Sequence, residues 1–84
     1  MSSNRRPHKR YDDAIHIYQQ LLSKFPHLSD PHYRMAYIYH SQGKLDKALT
    51  SIDKALTISI KENVENNKYK QFKAFVLEKM KKKP

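Results

Sequence analysis

At 84 residues, with no cysteine and a single glycine, the chain is one small domain that no disulfide or thiolate-bound metal can staple. The lone Gly43 excludes a glycine-rich phosphate loop and argues against a turn-rich β-sandwich. No apolar run approaches the roughly 18 residues of a membrane span, and an independent enzyme is not expected at this size. The net charge of +9 is uneven. Residues 1–10 hold four basic side chains and no acid, residues 11–67 hold six basic against seven acidic, and residues 68–84 hold seven lysines against Glu78. A near-neutral middle between two basic ends is the pattern, and basic ends attract polyanions or simply keep a small domain soluble. The absence of cysteine points to an intracellular protein, most simply cytoplasmic, while the arginine-rich opening leaves an organelle open.

Helical period runs through the chain. A first helix is predicted over 10–25, where Ala14, Ile15, Tyr18, Leu21, Leu22 and Phe25 recur at steps of three and four. Pro7 fits its frayed start, and Phe25-Pro26 ends it because proline pushes the preceding residue out of the α region. Ser29-Asp30-Pro31 is a start signal, a capping side chain followed by a proline that loses nothing in a first turn. The second helix then runs to about Ser41 and stops at Gln42-Gly43-Lys44, where glycine takes a left-handed C′ conformation cheaply. A third helix is predicted from Leu45 to Ile58, with Leu45, Ala48, Leu49, Ile52, Ala55 and Leu56 in its stripe. Glu62-Asn63 and Asn66-Asn67 are polar pauses where a helix caps or kinks. A last, strongly basic helix carries Val64, Phe72, Phe75, Val76 and Met80, and Lys81-Lys82-Lys83-Pro84 is expected to fray.

The chain also matches itself. Shifted by 34 residues, Tyr11, Asp12, Ala14 and Ile15 fall on Leu45, Asp46, Ala48 and Leu49, and Tyr18, Leu21 and Leu22 fall on Ile52, Ala55 and Leu56. A helix–turn–helix period of this length resembles the tetratricopeptide repeat family. Met35-Ala36, Tyr39, Gly43, Leu45, Ala48, Ile52 and Ala55-Leu56 stand at its pattern positions, and Pro26 at its terminal proline. The resemblance implies an all-α fold, antiparallel helix pairs forming a fragment of a right-handed superhelix with three to four helices. It divides the chain into a basic arm (1–9), a half repeat (10–26), a full repeat (29–62) and a basic capping helix with its tail (63–84). The chain departs from the family at His32, where tryptophan is usual, and at Ile60, where a closing proline is usual, so that the third and last helices are expected to join with little kink. Residues 63–76 lack the large-small-aromatic set of a further repeat.

Two candidate interaction surfaces and one charged surface follow. By the resemblance, a concave groove carried by the second helix takes a peptide or partner helix through Asp30, Tyr33, Arg34, Tyr37, His40 and Ser41. Tyr33, Tyr37 and His40 share a face at helical spacing, although the same rings also suit packing between helices. The first helix is the second half of a repeat whose first half is missing, which leaves Ile15, Tyr18, Leu22 and Phe25 to be covered by another copy, a partner protein or the basic helix folded back. Arg5, Arg6, Lys9, Arg10, Lys79, Lys81, Lys82 and Lys83 are candidate phosphate contacts for RNA or DNA, or a solvated surface. The histidines lack ligand spacing, so no metal and no cofactor is expected, and no nucleophile stands beside a base. The expected function is protein binding without catalysis, with nucleic-acid association through the ends as the alternative.

Overall fold

A computed structural model describes residues 7–82, which form four helices: α1 (Pro7–Lys24), α2 (Asp30–Ser41), α3 (Leu45–Lys61) and α4 (Asn67–Lys82). No strand occurs among the described residues. Each helix packs on the next along the chain, and the contact between α2 and α3 is the most extensive.

Helix α1 begins three residues earlier than the pattern placed it, so residues 7–9 of the basic arm are helical. Pro7 explains the start, since its fixed φ suits the first helical position and its missing N–H would have no partner there. The helix stops at Lys24, as Pro26 requires, with the Phe25 N–H still donating to the Leu21 carbonyl at 2.8 Å.

The start of α2 differs from the sequence reading in one respect. Ser29 stands at the cap, and its carbonyl accepts from the His32 and Tyr33 N–H groups at 3.1 and 3.2 Å, but its side chain caps nothing. Its backbone is already helical at φ −90° and ψ −33°, whereas a capping side chain turns back onto the first turn from an extended conformation. The Ser29 hydroxyl instead lies 3.1 Å from the Tyr69 hydroxyl of α4, in a buried contact.

Helices α2 and α3 end alike. At the first end the Gly43 N–H donates to the His40 carbonyl at 3.0 Å and the Lys44 N–H to the Tyr39 carbonyl at 2.8 Å, with Gly43 at φ +82°. At the second, the Asn63 N–H donates to Ile60 at 3.2 Å and the Val64 N–H to Ser59 at 2.8 Å, with Asn63 at φ +58°. Both are Schellman closures. Helix α3 therefore runs past Ile58 to Lys61, since Ile60 replaces the proline that would have stopped it earlier, and residues 62–66 then separate α3 from α4. The expectation of a nearly continuous last pair is corrected by this left-handed break.

The core lies where α2, α3 and α4 meet. Ala36, Ile52, Ala55 and Tyr69 form its buried centre, with Tyr33, Leu49, Leu56 and Phe72 packed around them. Ala36, Ala48 and Ala55 are fully buried, and their small size is what lets the helices approach. Ser59, also fully buried, satisfies its hydroxyl by donating to the Leu56 carbonyl at 2.8 Å. Lys73 of α4 and Asp53 of α3 add an ion pair at 2.6 Å on the rim.

Candidate partner-binding surfaces

The face of α2 singled out by helical spacing is shared with α4. Tyr33, Tyr37 and His40 approach the Phe72 ring with centroids 5.8, 6.1 and 5.9 Å away. Tyr33 also packs on Tyr69 at 5.1 Å, and His40 on Phe75 at 5.0 Å. Tyr33, His40 and Phe72 are half-buried in this cluster, so much of their area is spent on joining the helices. Tyr37 and Phe75 stay open, at 58% and 44% exposure. The sequence reading missed the contribution of α4 to this surface. Phe72 and Phe75 stood only in the sparse apolar stripe of the last helix; the three-residue steps from Tyr69 to Phe72 to Phe75 were the available signal.

Charges border the ring cluster. The Arg34 Nε donates to Asp30 Oδ2 at 2.8 Å across one helical turn. The hydrogen bond to Asp30, and then its charge, raise the Arg34 pKa above its ordinary value. Lys68 lies 4.0 Å from Asp30 Oδ1 and 5.3 Å from the Tyr33 ring centroid. Lys79 lies 5.3 Å from the Phe75 centroid. The Asp30 ion pairs are about half exposed, and each is worth little in stability. Ser41 is exposed at the far end of α2.

On α1 the expected uncovered set divides. Ile15 is buried, at 9% exposure, in a helix that packs on α2; its place in the set is corrected. Tyr18 and Leu22 are half-buried, and Phe25 is 46% exposed. Ile17, one row round the helix, is 61% exposed.

Among the basic candidates, Arg5, Arg6 and Lys83 lie outside the described residues, and Lys9 falls within α1. Arg10, Lys79, Lys81 and Lys82 are exposed. The last three occupy the final turn of α4, where cations suit the negative end of the helix dipole. His32 is half-buried, and burial followed by the charge of Lys54 lowers its pKa. Among the described residues no three His, Asp or Glu side chains come together as a metal site would require, and no helix is long and apolar enough to cross a membrane.

Paired helices, two matching turn closures and fully buried alanines define a helical-repeat scaffold. The tetratricopeptide repeat model matches residues 8–58, and the chain belongs to that family. No curated protein and no solved structure gave a significant match. Repeats of this family generally mediate protein–protein interaction.

Proposed function

We propose that the chain is a non-catalytic interaction module, an adaptor or small subunit of an assembly, that binds a peptide or helix of another protein. The surface would be the α2–α4 ring cluster with Asp30, Arg34 and Ser41 at its edges, supplemented by the open side of α1. The observation that supports it is the exposure of Tyr37 and Phe75 beside half-buried Tyr33, His40 and Phe72. Two open rings on a rigid aromatic base offer contact area at low side-chain entropy cost, as recognition surfaces do. Family membership supports the same reading, since these repeats are typically scaffolds.

The test is affinity capture at near-physiological salt, with and without nuclease, comparing the native chain with the double variant Tyr37→Ala, Phe75→Ala. Both positions are exposed, so the variant keeps the core. The reading expects a protein partner that survives nuclease and is lost with the variant. Partners that vanish with nuclease and return the same on the variant would shift the function to the basic ends, where binding would fall steeply with salt.

A further inference from the structure

The repeat register supplies an internal control for α1. Shifted by 34 residues, its Ala14, Ile17, Tyr18, Leu21 and Phe25 correspond to Ala48, Ser51, Ile52, Ala55 and Ser59 of α3. In α3 all five are buried, four of them fully and Ser51 to 8% exposure. In α1 Ala14, Tyr18 and Leu21 are half-buried and Ile17 is open, as is Phe25 just past its end. The two helices differ in company: α3 packs between α2 and α4, whereas α1 packs chiefly on α2. The stripe that is filled on α3 is therefore only partly covered on α1. Its spacing is that of a helix–helix seam, with Tyr11, Ala14, Tyr18, Leu21 and Phe25 stepping by three and four.

We propose that this face of α1 docks an amphipathic helix of another protein, one with small residues along its seam and acidic residues beside it. The size follows from the comparison. Ile, Tyr, Leu and Phe on α1 replace Ser, Ile, Ala and Ser on α3, so a helix at the ordinary spacing of about 8–10 Å has room only for small side chains opposite them. The charge follows from the flank. Arg10 and Lys24 are both exposed and lie seven residues on either side of Ile17, bordering the seam; Asp13, one turn before Ile17 on the same border, cancels one of the two charges and leaves the border singly positive. A second copy fits badly. Antiparallel pairing about Ile17 sets Arg10 against Lys24 of the other copy, and two chains of +9 repel. The inference rests on the interaction-module reading but uses different residues from the ring cluster.

Two synthetic peptides of about three heptads test it, alike in an alanine seam with one leucine to meet Ala14, one flanked by glutamate and the other by lysine. Amide shifts of the isotope-labelled chain are followed on titration. The expected result is saturable binding of the glutamate peptide, at least about tenfold tighter than the lysine peptide at low salt, with a gap that narrows at high salt. Shifts should centre on Ala14, Ile17, Leu21 and Phe25. Ile17→Glu should weaken it about tenfold or more with an unchanged circular dichroism spectrum, while Tyr37→Ala, Phe75→Ala leaves it intact. Equal binding of both peptides, or of neither, overturns the proposal. So does sedimentation showing a dimer that Ile17→Glu dissociates, since a second copy would then hold the face. Shifts confined to Tyr37 and Phe75 overturn it too, yet leave the ring-cluster reading standing.

Discussion

Gly43 and Asn63 occupy the same place at the ends of consecutive helices, and they pay different conformational penalties there. A Cβ on Gly43 would meet nothing within 4 Å, so any penalty for a side chain at φ +82° is backbone alone. Gly43→Ala should therefore lower stability by about 1 kcal/mol. Asn63 already carries a side chain at φ +58°, which asparagine tolerates and β-branched residues do not. In urea titrations Asn63→Gly should stay within about 0.5 kcal/mol of the native chain, whereas Asn63→Val should lose more than about 1 kcal/mol. Equal effects of the two substitutions would refute the left-handed closure. The sequence announced the first of these turns and only hinted at the second. Glycine after an apolar stripe is a strong stop signal, whereas asparagine also occurs in caps and loops, and Glu62-Asn63 registered only as a pause. His32 makes a second case. Its pKa is lowered in the fold by burial and Lys54, so the unfolded chain binds its proton more readily. The neutral form suits the fold, and its stability is intact above the unfolded value of about 6.5. It falls as acid is added from there down to the folded pKa, and then levels off. His32→Gln should flatten thermal stability between pH 7 and 5 relative to the native chain, and an unchanged slope would assign the dependence to other groups.

At the scale of elements, α4 holds the structure together in a way its composition conceals. Its sequence is rich in lysine with a sparse apolar stripe, and it lacks the large-small-aromatic pattern of a further repeat. Sequence alone made it a cap. The structure joins it to α2 by rings and to α3 by the Lys73–Asp53 pair, with Val76 fully buried. The Tyr69 hydroxyl reaching Ser29 is the most specific of these links, since both partners are buried and stand 40 residues apart in sequence. Removing either partner leaves the other polar group buried without its bond, at roughly 1–2 kcal/mol. Tyr69→Phe and Ser29→Ala should each destabilise by that order, and the double variant should lose distinctly less than their sum. Strict additivity in denaturant melts would mean that the contact carries no energy. Such a pairing was invisible beforehand because serine before Asp-Pro reads as a cap. Only the packing of α4, which the repeat period does not specify, turns its hydroxyl elsewhere. The ring cluster was half legible for the same reason: helical spacing put Tyr33, Tyr37 and His40 on one face, but Phe72 and Phe75 joined them only through the docking of α4.

For the whole molecule, the repeat period was the readable part, because alanines at fixed spacing record where helices touch. Charge is unevenly placed on that scaffold. Seventeen basic side chains face eight acidic ones, and the excess is gathered at the ends. In α4, Lys68 and Lys73 lie within 4.0 Å of Asp30 and Asp53 respectively. Lys70, Lys79, Lys81 and Lys82 make no ion pair among the described residues, and Lys79 and Lys82 are neighbours on one helix face. Folding gathers these charges on one short helix, so repulsion opposes the native state more than the expanded chain. Salt screens both the repulsion and the exposed ion pairs, but such pairs contribute little, and repulsion is the larger quantity here. Raising sodium chloride from about 20 to about 300 mM should therefore increase stability, by roughly 0.5–1 kcal/mol or a few degrees in Tm for a domain of this size. Lys79→Gln, Lys82→Gln should reduce that gain by removing two of the crowded cations. A Tm that falls with salt would give the greater weight to the Asp30 and Asp53 pairs, and would make those carboxylates, rather than lysine crowding, the electrostatic determinant of how α4 docks.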